Sequence, residues 1–154
     1  MTAKMIDKVY ALINQISSEN HEESAWLSLI ENDFPDRYKE LAGISLAECH
    51  VIDYIGRNNF TNATGISSGL RITKGGISKI TARLLQRELI EARHVDGNKK
   101  EKLYSLTPSG HKVFMLHAKL HALSYDKIKV LMESFSTEEL KIINRFLDGL
   151  AKAL

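Results

Sequence analysis

Residues 61–107, TNATGISSGLRITKGGISKITARLLQRELIEARHVDGNKKEKLYSLT, decide the fold. Thr61 predicts the start of a short helix in which Ile66 and Leu70 face inward, and Gly65 and Gly69 lower its propensity, so packing must hold it. Thr73 predicts the cap of a second helix, with Ile77, Ile80, Leu84 and Leu85 inward at helical spacing. Residues 92–95 and 102–106 read as strands around Asp96-Gly97-Asn98, because Asp-Gly readily takes the positive backbone dihedrals of a tight turn.

The outward positions of the second helix, Lys74, Gly75, Gly76, Ser78, Lys79 and Arg83, are small or cationic. Small residues let a helix backbone come close to a groove, hydroxyls and backbone N–H groups bind phosphate, and Lys or Arg reaches base edges. Arg93, His94, Lys99, Lys100 and Lys102 make the hairpin cationic, as suits a wing beside the minor groove, where negative potential attracts Arg and Lys. Two short helices followed by a basic hairpin is the order of a winged helix-turn-helix, so double-stranded DNA is the expected partner. Charge agrees: residues 71–102 hold nine Lys and Arg against four Asp and Glu, a local +5 in a chain of net +2, so the remainder carries −3.

Outward from this stretch the chain reads as helical. Ile6, Val9, Leu12, Ile13 and Ile16 recur at helical spacing before a polar run, 17–23, and Trp26, Leu27, Leu29 and Ile30 suggest a further apolar turn ended by Asn32-Asp33-Phe34-Pro35. Ser45 is the expected N-cap of a core helix, with Glu48 at the capping-box position, Leu46, Cys49, Val51, Ile52 and Ile55 inward, and Gly56 as its stop. Thr107-Pro108 predicts the start of a long helix. Ser136-Thr137-Glu138-Glu139 is a second capping box, before a last amphipathic helix bearing Leu140, Ile143, Phe146, Leu147, Leu150 and Leu154. The fold class expected is mainly α with a small β wing: one domain over 1–154, with 45–106 as the DNA-binding lobe and 1–44 and 107–154 as flanking helices.

Composition narrows the function class. With 154 residues and 44% hydrophobic content the chain can bury a core, and no apolar run approaches the roughly 18 residues of a membrane span. The N-terminus lacks the regions of a signal peptide, and a single cysteine, Cys49, excludes an internal disulfide framework; a cytoplasmic location is expected. Catalysis is not expected. After His21-Glu22 the position where a zinc-protease motif needs its second histidine is Ala25, and there is no phosphate-binding glycine loop and no recognisable nucleophile setting.

The string Ile72-Thr73-Lys74-Gly75-Gly76-Ile77-Ser78-Lys79, the apolar run to Leu84, Leu89-Ile90, the wing and Leu106-Thr107-Pro108-Ser109-Gly110 together resemble the MarR family of transcriptional regulators. The chain departs from that pattern at Glu88, where the family usually has Gly, and at Asn98-Lys99-Lys100, where Asp-Arg-Arg is usual. The resemblance implies a homodimeric regulator, a repressor, held together by its terminal helices. Two-fold symmetry then places two recognition helices ~34 Å apart, over a palindromic operator.

His50, His117 and His121 stand where the family's zinc-uptake repressors have histidines, the latter two four residues apart on one helix face, and Glu22 follows the first helix much as a ligating glutamate does there. The resemblance thus implies a four-coordinate Zn²⁺ site, with Glu23 an equal candidate for the carboxylate. The same histidines, with Glu48-Cys49-His50-Val51-Ile52-Asp53-Tyr54-Ile55-Gly56, also resemble the family's fatty-acid-synthesis repressors, in which acyl-carrier protein bearing an acyl chain is the corepressor. Histidines that only hydrogen-bond at an interface would look the same in sequence. Either effector can act only by binding two arrangements of the lobes with different affinity.

Overall fold

Ser45 starts the helix around which the core is built. Its hydroxyl accepts from the Glu48 amide at 3.3 Å while the Glu48 carboxylate accepts from the Ser45 amide at 2.8 Å, so two otherwise orphaned donors are satisfied together. The computed structural model describes the backbone of residues 2–17, 19–95 and 98–153 and the side chains of 4–14, 22–94 and 101–153. In chain order the helices are α1 (Thr2–Ser17), α2 (Glu19–Asp33), α3 (Tyr38–Ala42), α4 (Leu46–Arg57), α5 (Ala63–Leu70), α6 (Lys74–Gln86), α7 (Pro108–Met132) and α8 (Thr137–Ala153). Strands β1 (Thr61–Asn62), β2 (Ile90–Val95) and β3 (Asn98–Leu106) form one antiparallel sheet in the order β1-β3-β2. The chain is thus mainly helical with a small β wing, as expected.

Contacts divide it into two compact units, Met1–Leu120 and His121–Leu154, with the boundary inside α7. In the first unit Cys49, Val51, Ile52 and Ile55 of α4 are fully buried, and Trp26 and Ile30 of α2, Leu41 of α3, Ile66 of α5, Ile77 and Leu84 of α6 and Val113 of α7 join them in one core. Each such Ile or Leu contributes roughly 1.5–3 kcal/mol relative to exposure. In the second unit no described side chain is buried, although Ser136 and Glu139 form the expected capping box and α8 is amphipathic. Leu123, Val130, Phe135, Ile142, Phe146 and Leu147 are all exposed there. Helix α1, in the first unit, likewise exposes Met5, Ile6, Tyr10 and Leu12.

Several local expectations change. Thr61 does not cap α5: its backbone pairs with Tyr104 in the sheet, and Asn62 caps instead, its Oδ1 accepting from the Gly65 amide at 2.8 Å. Asn is the better cap, and Thr, being β-branched, suits the strand. The polar run 17–23 is mostly the first turn of α2, which begins at Glu19. Helix α4 continues past Gly56 to Arg57; Gly56 is there because a Cβ would meet the Phe114 ring at 2.7 Å. The wing strands are longer than expected, and Asp96 and Gly97 of their turn lie outside the described residues. Thr107 does cap α7, accepting from the Gly110 amide at 3.0 Å. Glu88 sits at φ 56°, the left-handed conformation glycine usually supplies, and its carbonyl accepts from the Thr107 hydroxyl at 2.6 Å. No described helix is long and apolar enough to cross a membrane.

Candidate nucleic-acid interface and metal cluster

Helix α6 takes its orientation from two features. The Thr73 hydroxyl accepts from the Gly76 amide at 3.2 Å, and Ile77, Ile80, Thr81 and Leu84 form its buried side. Thr81 satisfies its buried hydroxyl on the Ile77 carbonyl at 2.9 Å. Lys74, Gly75, Ser78, Lys79 and Arg83 are consequently exposed. The two glycines have different reasons to be glycine: at Gly75 a Cβ would meet nothing within 4 Å, whereas at Gly76 it would press Ile72 Cγ2 at 2.9 Å. Gly75 has open space beside it, as the groove-approach reading asks, and Gly76 is in addition held small by its neighbour Ile72.

In the wing, Arg93 is exposed, pairs with Glu91 at 3.3 Å and lies over the Phe60 ring, 5.8 Å from its centroid. Phe60 has φ 61°, an uncommon backbone state for an aromatic residue. Lys102 is exposed across from His94. Lys99 and Lys100 belong to β3, but their side chains lie outside the described residues. Thr61 is half-buried in β1.

A second constellation lies inside the first unit. Glu22 of α2, His50 of α4 and His117 of α7 bring their ligand atoms within 4.8 Å of one another. Glu22 Oε1 is 3.2 Å from His50 Nε2 and 3.3 Å from His117 Nε2. Tetrahedral zinc with bonds of roughly 2.0–2.1 Å has ligand–ligand edges of roughly 3.3 Å, so both spacings fit one ion, and two imidazoles with a carboxylate are ordinary zinc donors. The His50 and His117 rings meet edge-on with centroids 5.4 Å apart, and Trp26 packs edge-on against His117. Burial opposes the charge on Glu22, but the hydrogen bonds and charges of His50 and His117 together outweigh it and leave its carboxyl below its ordinary value. Glu22 rather than Glu23 is thus the carboxylate in the cluster, and Glu23 is exposed. His121 opens the second unit, and its candidacy rests on its spacing from His117 along α7. Cys49, next to His50, is buried, and burial first, then the charges of Glu48 and Glu22, push its thiol up to about 12, so it offers no thiolate at neutral pH.

Two features were not legible beforehand. Glu48, expected only as a capping residue, is buried and also faces two arginines of the α6 region: Arg83 Nε at 3.3 Å from Oε1 and Arg87 Nη1 at 3.8 Å from Oε2. A cavity of about 620 Å³ lies among Phe34, Leu41, Met115 and Leu116, with Arg37, His111, Lys112 and Lys119 around it. Arg37 is paired with Glu40, and Lys119 with Asp33.

No family model matches the chain. The HTH-type transcriptional regulator PchR of Bacillus subtilis is 30% identical over 157 residues, spanning all of this chain and 90% of that protein. The transcriptional regulator ZitR of Lactococcus lactis is 25% identical over 150 residues, 97% of this chain and 96% of ZitR. A solved structure of ZitR, described as a zinc-responsive MarR family member, superposes with TM-score 0.63 over 70% of this chain and 74% of that one, at 25% identity. The chain belongs to the MarR family. Among its MarR-family neighbours in fold is Streptococcus pneumoniae FabT in complex with DNA, with TM-score 0.69 at 20% identity, covering 99% of this chain and 96% of FabT. A MarR-family chain with these relatives is a DNA-binding transcriptional regulator and not an enzyme.

Proposed function

We propose that this MarR-family chain is a homodimeric repressor that binds a palindromic operator and responds to zinc held by Glu22, His50 and His117. The observation that carries the zinc reading is the convergence of two Nε2 atoms on one carboxylate oxygen, at 3.2 and 3.3 Å, from three separate helices. Its relative ZitR, described as zinc-responsive, supports the same effector. What zinc would supply is coordination that ties α2, α4 and α7 to one another. His121, four residues after His117, is the proposed fourth ligand on that spacing.

DNA contacts are assigned to Thr73, Lys74, Gly75, Ser78, Lys79 and Arg83 on α6, to Arg93, Lys99, Lys100 and Lys102 on the wing, and to Thr61 at its base. Gly76 is assigned to the same set, and it also fits against Ile72. Dimerisation is assigned to the terminal helices, because α1 and α8 expose apolar faces that water disfavours. Metal analysis of protein purified without chelator should find one zinc per chain. Fluorescence anisotropy with a labelled operator duplex should then change with added zinc in the wild type and not in His117→Ala. Absence of bound zinc at micromolar free metal would remove the metal reading.

The cavity beside α7 favours a second effector. Its apolar floor of Phe34, Leu41, Met115 and Leu116 suits the acyl chain borne by acyl-carrier protein, the corepressor of the fatty-acid-synthesis branch. A thermal shift with acylated carrier protein, and none with zinc, would select it.

A further inference from the structure

The two oxygens of Glu48 have different tasks. Oε2 accepts from the Ser45 amide at 2.8 Å and from the Ser45 hydroxyl at 3.0 Å, which commits it to the start of α4. Oε1 faces α6, where Arg83 approaches it most closely through Nε, at 3.3 Å. The carboxylate is buried, while the Arg83 side chain is 59% exposed. A charge held away from water orients its partner more strongly than a solvated one does.

Arg83 and Arg87 are held differently. Arg87 donates to the Gly43 carbonyl at 2.6 Å and the Glu40 carbonyl at 3.1 Å, so its fork is consumed within the protein. Among the described residues Glu48 is the side-chain partner of Arg83 in an ion pair, and with 59% of its side chain exposed Arg83 can still offer guanidinium donors to another acceptor. Arg83 lies four residues beyond Lys79, on the same exposed side of α6.

We propose that Glu48 is the positioning residue of Arg83: its buried carboxylate pairs with the guanidinium from the protein side and holds the exposed fork ready for DNA. An arginine fixed beforehand loses less side-chain freedom on binding, and a fixed fork reads a phosphate or a guanine edge in one orientation. The inference rests on the assignment of α6 to DNA.

The test uses the full chain and a fluorescent duplex selected by the wild-type protein from a randomised pool, with anisotropy read at several salt concentrations. Glu48→Gln keeps a side-chain acceptor for the Ser45 cap, since Gln serves in the capping box, but removes the ion pair. It should weaken binding roughly tenfold. Arg83→Ala should weaken binding at least as much and flatten the salt slope by up to about 0.9 if the contact is to phosphate. The deciding measurement is the double variant: adding Glu48→Gln to Arg83→Ala should cost nothing further. Equal losses from Glu48→Gln in both backgrounds would overturn the proposal, since Glu48 would then act through Arg87 or packing. Arg83→Lys supplies an arm that does not depend on the folding of Glu48→Gln. It keeps the charge without the planar fork and should bind more weakly than the wild type; wild-type affinity would overturn the proposal. Failure of the wild type to bind any duplex in a salt-dependent way sinks the α6 assignment itself, a result separate from all of these.

Discussion

The two units of this chain carry the same kind of sequence pattern and use it in opposite ways. In the first, α4 and α6 turn their apolar stripes inward, and Ile52, Ile55, Ile77 and Leu84 see no solvent. In the second, α8 has a stronger stripe and a complete capping box, yet Phe146 is 48% and Leu147 51% exposed. An amphipathic helix requires that its face be covered and does not specify by what. One stripe is satisfied within its own unit and the other is not, and on that ground the proposed dimer is assigned to the termini.

The glycines offer the sharpest way to break this comparison. At Gly110, a Cβ would lie 1.8 Å from the Leu89 carbonyl oxygen, a backbone atom that cannot swing aside, at a point where the Thr107 amide also donates to that carbonyl at 3.2 Å. Gly110→Ala should cost ~3 kcal/mol or more, read as a fall in the urea midpoint. Retention of wild-type stability would mean that the start of α7 is not packed against Leu89.

Charge placed on the open stripe should act on assembly. Phe146→Asp with Leu147→Asp should shift the monomer–dimer equilibrium by ~100-fold or more in sedimentation, about 2.7 kcal/mol, while far-ultraviolet circular dichroism of the first unit's helices persists. A dimer of unchanged stability would assign the interface elsewhere.

A smaller effect comes from the buried cluster of the first unit. Glu22 has its carboxyl lowered in the folded chain, so the stabilisation it gives is fully present above its ordinary value of 4.5 and is lost as pH falls through the lower folded value. In chelator-treated protein, wild type should therefore exceed Glu22→Gln in stability above about pH 4.5, and the margin should shrink as pH falls below that. A margin that persists at the lowest pH would contradict the assigned partners. The least effect belongs to the second unit, where a Cβ at Gly149 meets nothing within 4 Å. Gly149→Ala should leave stability unchanged or raise it by about 0.5–1 kcal/mol, through helix propensity alone.

Much of the helical frame was legible because its determinants are local. Ser45, Thr73, Thr107 and Ser136 each cap the helix expected of them, since a cap is a hydrogen bond within four residues. The Thr61 cap failed because a contact 43 residues away, with Tyr104, drew its backbone into a strand. The longer wing strands have the same origin: ladder bonds between β2 and β3 extend them past the alternation visible in either segment. The Glu22, His50 and His117 grouping could be named from a family resemblance, but no spacing in the chain brings residues 28 and 95 positions apart to within 3.3 Å.

By itself, then, the sequence determined most of the longer helices, the caps at Ser45, Thr73, Thr107 and Ser136, the basic hairpin and the localised positive charge, because periodicity, capping and composition act over a few residues. Tertiary structure decided which glycine faces open space, which of Glu22 and Glu23 meets the histidines, and that Glu48 serves Arg83 as well as Ser45. Those outcomes depend on how helices distant in sequence pack, and packing is settled by the shape of the whole core rather than by any one segment of it.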